Sequence, residues 1–190
     1  YGALAAQNFT GNQDSFNTGV GYSAGSAITT GVQNTLIGGH AGDALTDADD
    51  NVAVGLNALT ADTLGSRSTA IGQGTLATQN FTTATNSQNT AVGYFAGNAV
   101  TTGQYNTLTG SGAGDALTSG SENVAIGYGT LTTDDVGSRS TAVGTTALAN
   151  QNTATAANIY NTAVGYAAGN AVTTGTNNTL IGGLTGDALT

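Results

Sequence analysis

Asn161-Thr162-Ala163-Val164-Gly165-Tyr166-Ala167-Ala168-Gly169 is the stretch on which the rest of the chain is a set of variations. Asn89 to Gly97 repeats it with Phe95 in place of Ala167, and Asn17 to Gly25 repeats it with Gly19 and Ser23 as the two changes. Looser copies begin at Asn34, Asn51, Ser68, Asn106, Asn123, Ser140 and Asn178, so that ten copies fill 190 residues. The chain is therefore a repeat protein, and its repeats have to be settled before any residue is read for chemistry.

Successive starts are separated by 17, 17, 17, 21, 17, 17, 17, 21 and 17 residues. Three units of 17 and one of 21 give a superperiod of 72, which makes Asn17, Asn89 and Asn161 equivalent. The superrepeats are 17–88, 89–160 and a partial 161–190, with 1–16 as the end of a preceding one. Position 5 of the unit is Gly in all ten copies, from Gly21 to Gly182. Position 4 is Val or Ile in nine, Thr109 being the exception, and position 1 is Asn in eight and Ser in two. Both ends fall inside a unit, Tyr1 at position 6 and Thr190 at position 13. Repeat arrays usually end in capping units, so 1–190 reads as one repetitive segment of a longer chain.

The composition restricts the fold. There is no Pro, Cys, Met, Trp or Lys, only two Arg, and 30 Gly. That set does not make an ordinary globular core, yet 38% hydrophobic residues argue against disorder. The absence of Cys removes disulfides and thiolate metal sites. No apolar run approaches the ~20 residues of a membrane-spanning helix, and a net charge of -9 repels phosphate backbones, so neither membrane insertion nor nucleic acid is expected.

Gly in every unit, abundant Thr and Asn or Ser starts disfavour helix. Positions 3 and 4 of a strand point to opposite faces. A second short strand fits residues 27–29, 44–46, 99–101 and 171–173. Each unit then reads as strand, Gly turn, strand, turn, which is one coil of an all-β parallel β-solenoid, or β-roll. About ten 17-residue coils, with a 21-residue coil every fourth, would stack ~4.8 Å apart. Position 3 (Leu36, Ala53, Ala70, Leu108, Ala125, Ala142, Leu180) and position 4 are both apolar, and a strand apolar on both faces is buried on both. The expectation is position 4 inside each coil and position 3 against neighbouring chains, in a homotrimer.

Asn123-Val124-Ala125-Ile126-Gly127 and Ser68-Thr69-Ala70-Ile71-Gly72 resemble the head repeats of trimeric autotransporter adhesins. The longer pattern Asn-Thr-Ala-Val-Gly-Tyr-x-Ala-Gly, followed by Thr-Thr-Gly, is similar to repeats in the shafts of bacteriophage tail fibres. What these resemblances imply is a left-handed parallel β-roll that associates as a trimer, in a virion fibre or on a cell surface.

Candidate chemistry is sparse. The only His, His40, has Gly112 and Leu184 as superperiod equivalents, so no triad repeats around it. No catalytic residue, bound cofactor or enzyme activity is expected. Asp47, Asp49 and Asp50 are carboxylates of the kind calcium favours, but the equivalent 119–122 loses most of them, and a solvated acidic turn is the plainer reading. Asp50 precedes Arg67 by one coil, as Glu122 precedes Arg139. Stacked in register, the opposite charges would meet and help fix it. Asp62 and Asp134, at position 12, are further carboxylates able to join them. The position 1 Asn column should form a side-chain ladder from coil to coil, broken at Ser68 and Ser140.

The four extra residues of every fourth coil lie within 80–88 and 152–160, with 8–16 as the N-terminal equivalent. These windows hold Phe9, Phe16, Phe81 and Tyr160 among Thr, Asn and Gln. Insertions carry function more often than scaffolds do, so they are candidates for contact with a host-surface glycan or protein. Packing over a neighbouring chain suits them equally. The Tyr column at position 6 (Tyr22, Tyr94, Tyr128, Tyr166) reads as turn cover. The chain as a whole reads as a non-enzymatic, extracellular structural rod, of a phage tail fibre or an adhesin. A homopolymeric filament subunit is one alternative. An ice-binding solenoid, using Thr at positions 2 and 13, is another.

Overall fold

The structure, a computed structural model, describes residues 1–9 and 14–189. Part of the 8–16 window and Thr190 lie outside the described residues. Ten three-residue strands recur at the same place in every unit: Thr18–Val20, Thr35–Ile37, Val52–Val54, Thr69–Ile71, Thr90–Val92, Thr107–Thr109, Val124–Ile126, Thr141–Val143, Thr162–Val164 and Thr179–Ile181. They pair in chain order into one parallel sheet, each strand beside the next, and the rest of each coil is the crossover between them. The register is the repeat itself: Thr18 pairs with Thr35, Ala70 with Ala91 across the longer coil, and Val143 with Val164. The fold is thus an all-β parallel solenoid of about ten turns, with no helix among the described residues.

Gly at position 5 is a steric requirement. Each of these glycines turns the chain out of the strand with φ between +123° and +140°. A Cβ on Gly55 would fall inside 3.0 Å of the carbonyl of Gly72 in the next coil, and the same holds up the column. Gly brings the two backbones together where any side chain would separate them.

The structure reverses the expected faces of the strand. Position 3 points inward and is buried, as Leu36, Ala53, Ala70, Ala91, Leu108, Ala125, Ala142 and Ala163 show. Position 4 points outward, with Val20, Ile37, Ile71, Ile126, Val164 and Ile181 exposed to between 36% and 68%. The reason is volume. Inside each coil, position 3 shares a narrow space with positions 8, 9 and 12. Where position 9 is Leu (Leu59, Leu76, Leu131, Leu148), position 3 is Ala and position 12 is polar. Where position 9 is Gly, position 12 is Ile28, Leu45, Val100, Leu117 or Val172, all buried, and Leu189 in the last coil, which is exposed. A Cβ on Gly42 would meet Leu36 and Leu45 at 2.8 Å. Large and small residues thus alternate around one core, whose density leaves no room for a further methyl.

The second strand does not form at 27–29, 44–46, 99–101 or 171–173. The first residue of each stretch ends a run of turns and the third lies in a bend, because positions 7 and 9 adopt left-handed backbone (His40 φ 56°, Leu59 φ 55°, Phe95 φ 55°). Leu45 N–H bonds back to Gly42 at 3.2 Å, while Thr46 N–H reaches Thr63 in the next coil at 3.0 Å. Donors alternate between the local turn and the neighbouring coil, so coil-to-coil bonding survives without a ladder. The other strand pairs lie where the longer coils begin and end, Gly65–Ser66 with Thr85–Asn86 and Gly137–Ser138 with Ala157–Asn158.

Two glycines separate the steric and conformational contributions. Gly55→Ala combines a backbone collision with a φ of +140° and is expected to cost about 3 kcal/mol or more. Gly112→Ala meets nothing closer than Asp115 at 3.6 Å, with φ +65°, and should cost only about 1–2 kcal/mol. Urea unfolding followed by circular dichroism reads the difference, and equal losses would contradict the stacking contact.

Candidate functional site

Functional side chains on a solenoid stand in columns, and the residue before each position 1 forms one of them. Gln33, Asp50, Arg67, Tyr105, Glu122, Arg139 and Tyr160 all hold left-handed backbone, with φ between 55° and 64°, and so project alike. The structure places Arg139 against Glu122 in a two-pronged pair, Nη2 to Oε1 at 3.0 Å and Nε to Oε2 at 3.1 Å. Arg139 Nη1 also donates to the hydroxyl of Tyr160 at 3.0 Å. The hydrogen bonds from Arg139 hold the Glu122 carboxyl below its usual range, and those to Glu122 and Tyr160 raise the guanidinium. Arg67 stands farther from its partner, Nε to Asp50 Oδ2 at 3.6 Å. All four charged groups are solvent-exposed, so their contribution is to register more than to stability.

The aromatic residues of the long coils do not form one surface. Phe16 is exposed, Phe9 is half-buried, and Tyr160 is half-exposed beside Arg139. Phe81 is only 6% exposed, so it is not available as a receptor contact. Its backbone closes the coil over a buried carboxylate: the Phe81 N–H donates to Asp62 Oδ1 at 3.0 Å, and its carbonyl accepts from Leu64 at 3.1 Å. What faces solvent in the insertions is Thr82 to Ala84 and Ala154 to Asn158.

Asp62 and Asp134 are not partners of the arginines. Both are fully buried. Asp62 accepts from Gly65 N–H at 3.0 Å and from Gln79 Nε2 at 2.6 Å; Asp134 accepts from Gly137 N–H at 3.0 Å and Gln151 Nε2 at 2.6 Å. Gln79 also donates to Ser68 Oγ at 3.0 Å and accepts from Asn89 Nδ2 at 2.8 Å. Ser68 Oγ lies 2.6 Å from Ser87 Oγ. The sequence carried a signal for this network: Asp62 and Gln79 are one coil apart, at the position where other coils carry Ile, Leu or Val.

The network stands where the Asn ladder breaks. Asn34 N–H donates to Asn17 Oδ1 at 2.8 Å, Asn51 to Asn34 at 3.0 Å, and Ser68 to Asn51 at 2.9 Å. Asn34, Asn51, Asn106 and Asn123 each donate their amide to a carbonyl 14 residues on, at 2.7 to 2.9 Å. Ser68 and Ser140 are too short to continue the chain of amides, and Gln79 and Gln151 bridge the gap to Asn89 and Asn161.

His40 Nδ1 lies 2.9 Å from Asp43 Oδ2, and its ring stands edge-on to Tyr22 at 5.2 Å. Asp47, Asp49 and Asp50 go separate ways, to Thr30 Oγ1, to Val32 N–H and to Arg67. Among the described residues no three His, Asp or Glu converge on one point. Among the described residues no helix is long and apolar enough to cross a membrane. In comparisons with known proteins, no family model, curated protein or solved structure matches the chain.

Removing the buried acceptor should be felt locally. Asp62→Leu leaves the Gly65 and Phe81 amides and the Gln79 amide without their partner, each worth about 1–3 kcal/mol when buried. Amide hydrogen exchange at Gly65 and Phe81 should quicken at least tenfold, while Gly137 in the equivalent coil keeps its rate. Unchanged exchange at both would show that the carboxylate is not the acceptor.

Proposed function

We propose that the chain is a non-enzymatic structural rod of an extracellular fibre, in a phage tail fibre or a surface adhesin, and that it associates with copies of itself as a homotrimer. The observation that carries this reading is the outer face of the ten-strand sheet. Position 4 places Val or Ile there in nine coils out of ten, in register and without a charge, and position 2 places Thr or Val beside it. At ~4.8 Å per coil and ~10 Å across two columns, the strip covers ~500 Å². A patch of about that size is the largest a typical monomer exposes and is often functional. A second and third copy of the same rod match it in length and repeat. The trimer seam therefore lies at position 4, where the expectation had been position 3.

The repetitive interior supports the mechanical part. Inside, the coils differ only in how they fill the same space, which specifies length and stiffness, and a further set of variable side chains lies on the outside. Contact with a host-surface glycan or protein belongs to those outer side chains. Phe16 and Tyr160 remain exposed enough to take part.

The Thr column at position 2 favours a second reading, ice binding, because eight of its ten members are Thr on an outward sheet face. Two features weigh towards the rod. Val52 and Val124 interrupt the column. The position 13 hydroxyls of Thr46, Thr101 and Thr118 are spent on carbonyls of the next coil at 2.8 to 3.1 Å.

Light scattering on the purified chain should give three times the 18.4 kDa monomer mass. Ile71→Glu with Ile126→Glu should reduce it to the monomer without loss of the β-sheet dichroism. A monomeric parent overturns the trimer, a mass that grows with concentration marks a filament, and thermal hysteresis in the parent would assign the face to ice.

A further inference from the structure

A cleft of about 430 Å³ opens on the turn side of the coils, away from the outer sheet face. Tyr94 and Tyr128 stand on either side of it, at position 6 of two coils separated by one that carries Ser111 there. Two coil rises set the tyrosines ~10 Å apart along the axis, room for one six-membered ring between them. Gly112 and Gly129 form the floor because they have no side chains, and Thr132 and Thr146 add hydroxyls to the wall.

The superperiod shows what is missing from this cleft. One superrepeat earlier, the place of Asp115 is taken by Asp43, whose carboxylate is satisfied by His40 at 2.9 Å and by Thr60 Oγ1 at 2.6 Å. The His40 ring lies edge-on to Tyr22, the equivalent of Tyr94. At the later site Gly112 replaces His40, and Thr132 turns its hydroxyl to the carbonyl of Ala149 at 3.3 Å. Asp115 Oδ1, the counterpart of the oxygen that Thr60 serves, is enclosed and without that donor, while Oδ2 faces the space above Gly112. Burial pushes this carboxyl above its ordinary range, and the amides of Asp115 and Ala116 offset that only in part. Tyr128 meanwhile replaces Leu56, adding a second aromatic wall.

We propose that this cleft binds a neutral pyranose sugar ring, held between Tyr94 and Tyr128 and donating a hydroxyl to Asp115 Oδ2. The ring takes the place that the His40 imidazole fills in the first superrepeat, with the same two relations to a carboxylate and a tyrosine. Tyrosine faces receive the C–H surface of a sugar, and the Asp115 oxygen on the Gly112 side is Oδ2, 3.6 Å from where a Gly112 Cβ would stand, just as Asp43 Oδ2 is the oxygen that meets His40. The hydroxyls of Ser111, Thr132 and Thr146 suit a polyhydroxylated ligand rather than a bare cation. The chain's net charge of -9, with Asp115 at the site, selects against acidic sugars.

The test is a titration of the ¹⁵N-labelled chain with the methyl glycosides of glucose, galactose, mannose, N-acetylglucosamine and N-acetylgalactosamine. At least one should shift the amides of residues 94–95, 111–116 and 128–132 saturably, in the millimolar range. Gly112→His rebuilds the arrangement of the first superrepeat and should abolish the shifts, since a Cβ there meets only Asp115 at 3.6 Å. Tyr128→Leu, the residue native to the equivalent Leu56 position, should weaken binding at least fivefold. No shift with any of the five sugars overturns the proposal, as do shifts that persist in Gly112→His. Saturable shifts at the same amides with tetramethylammonium chloride but none with sugars would assign the cleft to cations instead.

Discussion

Every coil of this protein rests on backbone contact between glycines of successive turns. The position 5 carbonyl of one coil occupies the space where the Cβ of the previous coil's residue would stand. This fixes the separation of the coils at that corner to the strand spacing. Four residues away along each unit, the Asn ladder fixes the same separation by hydrogen bonds, each Oδ1 accepting the N–H of the residue 17 positions on. With two points of the circuit pinned, insertions belong to the arc from position 5 to the next position 1, and past the buried position 12 they leave the core undisturbed. That is where the extra residues of every fourth coil are found.

The interior follows from the same constraint. A coil of fixed perimeter has a fixed volume, so a Leu at position 9 requires Ala at position 3, and a Gly at position 9 admits a branched residue at position 12. The coils with Leu at position 9 also carry the buried Asp62–Gln79 and Asp134–Gln151 pairs. These replace hydrophobic contact by a fully hydrogen-bonded network at the point where the chain leaves its regular path. Such networks are tolerated in cores only when every member is satisfied, and here the carboxylates have three or more donors apiece.

Much of this was legible in the sequence. The repeat length, the Gly turn, the parallel register and the breaks at Ser68 and Ser140 all follow from spacing alone. Sidedness was not, because Ala or Leu at position 3 and Val or Ile at position 4 are both apolar, and hydrophobicity does not say which is inside. The complementary pattern at positions 3, 9 and 12 does say so, through volume. The second strand failed because apolar alternation over three residues cannot reveal left-handed backbone at positions such as His40 and Phe95. Phe81 looked like a surface aromatic in a polar loop, and only the hydrogen bonds of its backbone to Asp62 and Leu64 explain why it turns inward. The cleft at Asp115 was hidden for the opposite reason: it is defined by side chains that its superperiod equivalent has and it lacks.

The account's central claim is that each repeat makes one coil and that coils stack in register along a single axis. Distances between spin labels at position 6 test it directly, in samples diluted with unlabelled chain so that only intrachain pairs contribute. Labels replacing Tyr22 and Tyr94 are four coils apart, and labels replacing Tyr22 and Tyr166 are eight apart. The account predicts separations of ~19 Å and ~38 Å, a strict doubling at ~4.8 Å per coil. Separations that do not scale with the number of coils would contradict it.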